Sequence, residues 1–163
     1  MNIFLNKKKF YLFILFYSLF AIFFALYVEY ILGYKPCKLC LYQRVPYIVA
    51  IFISFVGYNY YKNNKILILI ISIFLISFFI AGYHYGIEKN YWEGITSCSS
   101  KIDFNKDTLK NILSTDITRC DDVQFELLNL SLAGWNSLIS ISVFIISVYI
   151  LYIFRRNEKT YDT

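Results

Sequence analysis

Four stretches of the chain are almost free of charge, and their lengths suit a lipid bilayer better than a water-soluble core. The first covers residues 10–32 and is interrupted only by Ser18 and, near its end, Glu29. As a helix it would extend about 34 Å, enough for a hydrocarbon core of about 30 Å. It follows Lys7-Lys8-Lys9, as the core of a secretory signal would. It is longer than the about 7–15 apolar residues of such a signal, and it ends in Tyr30-Ile31-Leu32-Gly33, so an uncleaved span is predicted. The second run, 45–61, reaches spanning length when extended back to residue 39, which draws Arg44 into the outer turns of the helix. Pro46 then falls in the first turns, where a missing N–H costs least. The third and fourth runs are 66–85 and 136–154. Serines 72, 77, 140, 142 and 147, with Gly57 and Gly82, supply small residues of the kind that let membrane helices approach closely. The pattern predicts an all-α membrane protein, a four-transmembrane-helix bundle forming one integral membrane domain over residues 1–163.

Composition agrees with the pattern. The 163-residue chain is 58% hydrophobic, above the roughly 45–50% of ordinary soluble domains. The net charge of +5 matters less than where the cations lie. Lys7, Lys8 and Lys9 precede the first span, Lys62 and Lys65 separate the second from the third, and Arg155, Arg156 and Lys159 follow the fourth. All three groups fall on one side of a four-span chain, which makes that side, and both termini, cytoplasmic. The other side carries a short outer loop, 33–38, and a long one, 88–134, with five basic and eight acidic residues. No basic stripe with interleaved polar residues suggests nucleic acid. Within the long loop, Asp121 and Asp122 are expected to cap a short interfacial helix beginning near Val123, which leads along the membrane surface to Trp135.

The four cysteines all fall on the non-cytoplasmic side, where disulfides form and persist. Cys37 and Cys40 make a C-x-x-C in the first outer loop; Cys98 and Cys120 lie in the second. The short spacing favours a Cys37–Cys40 pair, leaving Cys98–Cys120. Two structural disulfides, a four-thiolate metal site and a redox relay all use four cysteines. Zinc sites of that type usually show two close C-x-x-C knuckles, which Cys98 and Cys120 do not supply, so no metal is expected. A helix starting near Cys37 would put both thiols of the first pair in its first turn, where the dipole stabilises a thiolate. Arg44, at i+4 from Cys40, would bring a guanidinium within reach of the sulfur. A structural disulfide needs neither feature. Lys38 and Leu39 read as fillers of the turn, Glu29 as an interfacial carboxylate, and Cys98, flanked by Ser97, Ser99 and Ser100, as open to a soluble partner.

The stretch Pro36-Cys37-Lys38-Leu39-Cys40-Leu41-Tyr42-Gln43-Arg44 resembles the DsbB family of membrane quinone–thiol oxidoreductases. Tyr83-His84, Trp92-Glu93-Gly94 before Cys98, and the run from Arg119-Cys120-Asp121-Asp122 through Ala133-Gly134-Trp135 match as well, in the same order. The resemblance implies a bacterial inner-membrane enzyme that reoxidises a soluble periplasmic thioredoxin-fold dithiol protein, DsbA-like, and passes the electrons to a membrane quinone, ubiquinone or menaquinone. It implies Cys37, Cys40, Cys98 and Cys120 as the catalytic residues, with Arg44 and His84 as quinone-binding residues in a monomer. In that path the partner attacks at Cys98, Cys120 attacks Cys37, and Cys40 faces the quinone. The competing class is a non-enzymatic four-span scaffold with two structural disulfides. The stretch between Cys98 and Cys120 is shorter than in well-known members, which bears on how a partner docks. A reductase running outward would need a cytoplasmic redox site, and the cytoplasmic segments hold no cysteine.

The topology is directly testable with reporter fusions. Alkaline phosphatase inserted into the 99–119 segment is expected to be active, and the same enzyme fused after Thr163 inactive; the opposite pattern would invert the predicted orientation.

Overall fold

The computed structural model describes residues 6–92, 120, 123 and 125–161, with side chains up to 156. Its four long helices are α1 (Lys7–Tyr30), α2 (Lys38–Asn59), α3 (Asn64–Glu88) and α4 (Leu132–Tyr161). All four are long and apolar enough to cross a membrane. Counting the second run from residue 39, the helices start one to four residues before the apolar runs because polar residues cap them. Asn6 accepts from Lys8 N–H, Cys37 from Cys40 N–H and Asn63 from Lys65 N–H. Satisfying the free amides of a first turn in this way is what lets a helix begin ahead of its apolar stretch.

The helices pack in sequence, α1 on α2, α2 on α3 and α3 on α4. The core between the helices is filled by Phe10, Tyr11, Ile14, Tyr47, Leu67, Ile70, Phe74, Val143 and Ile150, all buried. Phenylalanines 16, 20, 23, 52, 55 and 79 point outward, as expected where the surroundings are as apolar as the core. The predicted packing residues divide into two groups. Ser77 and Ser140 are fully buried and share a 3.0 Å hydrogen bond across α3 and α4, and Ser147 is buried against its own helix. Ser72 and Ser142 instead face outward, each returning its hydroxyl to the carbonyl four residues back.

The three basic groups meet at one end. Lys7 Nζ donates to Asn64 Oδ1 at 2.6 Å and sits over the Phe154 ring, and Lys8 lies over Tyr61. The first outer loop, the end of α3 and the start of α4 lie at the other end, where Cys37, Ile87 and Cys120 pack together.

The segment after Cys120 corrects one expectation. Where a short helix from Val123 was predicted, strands β1 (Glu126–Leu127) and β2 (Leu130–Ser131) pair antiparallel. Leu128 and Asn129 form the two-residue turn at φ 54° and 61°. Both central residues with positive φ are the mark of the hairpin turn whose twist matches its strands. The apolar residues here recur at 123, 125 and 127, then at 130 and 132, a spacing of two that suits a strand; apolarity alone had suggested a helix. Ser131 ends the hairpin and starts α4, its hydroxyl accepting from Gly134 N–H at 3.1 Å, and Trp135 Nε1 ties back to Leu127 O.

Close approach of α1 and α2 depends on Gly57, where an added Cβ would stand 2.6 Å from the buried Tyr11 ring. Gly57→Val is therefore expected to destabilise the bundle by about 1–3 kcal/mol, the usual cost of overpacking. Unfolding in a mixed-detergent titration checks this; an unchanged midpoint would show that the Tyr11 ring yields freely.

Candidate thiol redox centre

Cys37 is the N-cap of α2 and Cys40 lies in its first turn. The cap geometry orients both sulfurs. Cys37 Sγ accepts from the Cys40 amide at 3.3 Å and lies 3.0 Å from Cys40 Sγ. Cys37 is buried and Cys40 half-buried. The Cys37 thiol is pushed up to about 12, first by the hydrogen bond it donates to the Cys40 sulfur and then by burial, with His84 opposing the rise. In the reduced pair the Cys37 thiol is the donor and the Cys40 sulfur the acceptor of their hydrogen bond.

The fold brings Cys120 to the same place. It is buried in one cluster with Cys37, Leu39 and Ile87, against Cys40 and Tyr83. Leu39 is thus no filler of the turn: it packs between the two cysteine-bearing segments. Cys98 lies outside the described residues, as does its expected pairing with Cys120.

His84, in the last turns of α3, is nearly fully buried. Its Nε2 lies 3.5 Å from Cys37 Sγ and 3.6 Å from Glu88 Oε1, and its Nδ1 lies 2.6 Å from Gln43 Nε2. The Cys120 backbone also hydrogen-bonds the ring. His84, which the resemblance implies as a quinone-binding residue, is held against both cysteine segments and also lines the neighbouring cavity. Glu88 is fixed from its other side by Ser131, whose hydroxyl donates to Oε2. Gln43 accepts from Asn136 Nδ2 at 2.6 Å, and Asn136 Oδ1 accepts from Tyr47 and, at 3.2 Å, from Ser140.

Arg44 departs from expectation. Its Nη1 donates to Glu29 Oε2 at 2.5 Å, joining α2 to α1, where the i, i+4 spacing had suggested the Cys40 sulfur. A full carboxylate charge is the stronger partner for a guanidinium than a thiol is. Arg44, Glu29, Cys40 and His84 all line one cavity of about 530 Å³. Its walls come from all four helices, the 34–36 segment and the hairpin, and Tyr17 and Tyr47 contribute farther along the bundle. The lining is mostly apolar, with the polar groups gathered beside the thiols.

Cys37, Cys40 and His84 present donor atoms within 4.8 Å of one another, a set that could hold a metal ion. Zinc with bonds of about 2.3 Å to sulfur sets two thiolates about 3.7 Å apart in a tetrahedral site. The sulfurs here are 3.0 Å apart, closer than two thiolates on one zinc ion stand.

Sequence reasoning missed Gln43, Glu88, Ser131 and Asn136. The available signal was polarity at membrane depth. An ionisable or amide side chain inside or at the edge of a span is rare unless it has a partner or a task.

A model of the DsbB family, described as disulfide bond formation protein DsbB, matches residues 7–150. An uncharacterized protein of Rickettsia prowazekii is 32% identical over 86% of each chain. Proteins described as disulfide bond formation protein B are 26% identical in Xylella fastidiosa, over 69% of this chain and 71% of that one, and 25% identical in Acinetobacter baumannii, over 84% and 86%.

Because Cys37 keeps its proton and is buried, brief iodoacetamide treatment of the reduced protein at pH 8 is expected to label Cys40 well ahead of Cys37. Peptide mass spectrometry reads the order, and equal labelling would contradict the assignment of the shared proton.

Proposed function

The chain belongs to the DsbB family, and from that premise we propose that it is a membrane thiol oxidase that reoxidises a soluble thioredoxin-fold dithiol protein, DsbA-like, at the expense of a membrane quinone. Family membership and four membrane-spanning helices make it a multi-pass membrane protein of disulfide bond formation. The inner bacterial membrane, cytoplasmic termini and a periplasmic face for the cysteines complete the proposal, and the meeting of the basic groups at the opposite end supports it.

The observation that carries this reading is the packing of Cys120 against the Cys37–Cys40 pair, beside a mostly apolar cavity. Cys120 need travel little to attack Cys37. In the proposed order, a partner thiolate attacks the Cys98–Cys120 disulfide at Cys98, and Cys120 leaves as a thiolate. Cys120 then attacks Cys37, and Cys40 leaves with the electron pair. A second partner thiolate releases Cys98, and the partner departs as a disulfide. Cys98 then attacks Cys120 of the Cys37–Cys120 disulfide, re-forming Cys98–Cys120 and freeing Cys37 as a thiol beside Cys40. The position of Cys40 in the first turn of α2 favours it as the leaving group, since the helix N-terminus and its neighbour's thiol both stabilise charge there.

The cavity suits a flat ring with an apolar tail: its walls are hydrocarbon, and polar donors stand only at the thiol end. Arg44 and His84 are the residues that would hold the ring oxygens. A quinone bound there supplies the acceptor for the two electrons and two protons released when the Cys37–Cys40 disulfide re-forms. Arg44 is already held at the cavity by Glu29, so its charge is positioned without ordering a long side chain on binding.

The test is quinone reduction in membranes given a reduced thioredoxin-fold protein. Cys40→Ser is expected to abolish it, and a partner variant that keeps only its attacking cysteine is expected to accumulate a mixed disulfide with Cys98, visible on a non-reducing gel. Full quinone-linked turnover by the Cys37→Ser/Cys40→Ser double variant would overturn the proposal.

A further inference from the structure

The polar side chains behind the thiols form a directed series. The Tyr47 hydroxyl donates to Asn136 Oδ1, Asn136 Nδ2 donates to Gln43 Oε1, and Gln43 Nε2 faces His84 Nδ1. An amide nitrogen has only hydrogens to offer, so with Gln43 so turned Nδ1 must be an acceptor. The single proton of a neutral imidazole then lies on Nε2. The groups on that side of the ring agree: Glu88 Oε1 at 3.6 Å, held in place by Ser131, and Cys37 Sγ at 3.5 Å are both suited to accept from it. In this arrangement Asn136 Oδ1 accepts from two hydroxyls, Tyr47 and Ser140, which leaves Nδ2 to face Gln43 Oε1 and Gln43 Nε2 to face the ring. Tyr17 lies behind Tyr47 at 3.3 Å between hydroxyl oxygens, and Ser77 behind Ser140 at 3.0 Å.

We infer that Gln43 and Asn136 are positioning residues that lock His84 in its Nε2–H tautomer and aim that N–H at the Cys37 sulfur. His84 is then a fixed hydrogen-bond donor and not a base at that atom. Its N–H stabilises negative charge on a sulfur that otherwise keeps its proton tightly. The series passes through α2, α3 and α4, so the tautomer of a ring on α3 is set from a residue on α4 that does not touch it. What the donor does in turnover rests on the thiol oxidase reading; the tautomer itself does not, and it can be measured without partner or quinone.

His84 is the only histidine in the chain, so 15N-histidine labelling gives two ring resonances that need no further assignment. The full-length reduced protein in lipid nanodiscs at pH 8.5 is expected to show an unprotonated Nδ1 and a protonated Nε2. Gln43→Glu leaves the shape nearly unchanged but places an acceptor-only carboxylate against Nδ1. Asn136→Asp forces Gln43 to turn over and present its oxygen to the ring. Each variant is expected to shift the Nδ1 resonance to the protonated position, and the distant Asn136→Asp is the sharper case because a purely structural defect has no reason to move a proton between ring nitrogens. A wild-type ring protonated at Nδ1, or an Nδ1 that stays unprotonated in both variants, would overturn the inference. Quinone reduction is assayed separately, so its failure alone would count against the oxidase and not against the tautomer.

Discussion

A buried polar group in a membrane has no water to turn to, and that constraint organises the thiol-bearing half of this protein. Gln43, His84 and Asn136 belong to three different helices, and each reaches the next at 2.6 Å. Such bonds are worth only about 0.6–2 kcal/mol each in a bilayer. Their larger effect is on geometry. An unsatisfied amide or imidazole is costly in an apolar medium, so the three helices hold one relative rotation at the depth where the thiols lie. Toward the end where the basic groups meet, the bundle is held by aromatic and aliphatic packing around Tyr11, Phe74 and Ile150.

The two cysteine segments are placed by opposite means. Cys37 and Cys40 are fixed locally, because the N-cap of α2 needs an acceptor and the Cys37 sulfur supplies it. Cys120 is fixed remotely: it is delivered by a segment that continues into the hairpin and is then buried against Leu39 and Ile87. The hairpin is pinned by Trp135 to Leu127 and by Ser131 to Glu88, so the same serine caps α4 and anchors the carboxylate beside His84. The Tyr34–Phe125 ring contact ties this segment to the first outer loop. A thiol exchange between the two segments thus takes place between parts held by shared neighbours.

Charge is handled with the same economy. Arg44 and Glu29 neutralise each other across α1 and α2 while both remain at the cavity wall, so a guanidinium can stand at membrane depth without an uncompensated charge. At the opposite end Lys7 is almost buried, and its cation is met by the Asn64 oxygen and the Phe154 ring. Both of these contacts join neighbouring helices.

The sequence by itself determined the number of spans, their approximate limits and the gathering of basic residues at one end, because length and apolarity are nearly sufficient in a solvent that tolerates only helices or barrels. It also marked Cys37, Cys40 and Arg44 through their local spacing, and the helix start that puts both thiols in a first turn. Tertiary structure alone decided the partners. That Arg44 meets Glu29, that His84 stands against Cys37, and that Gln43 is joined to Asn136 depend on helix rotation, which a uniformly apolar span leaves unspecified. The hairpin after Cys120 was legible only in part: the alternation was present in Val123, Phe125 and Leu127, but the Leu128–Asn129 turn carries no glycine to announce it. Contacts across 41 and 93 positions of chain, as between Gln43 and its two neighbours, are set by packing, and no local pattern encodes them.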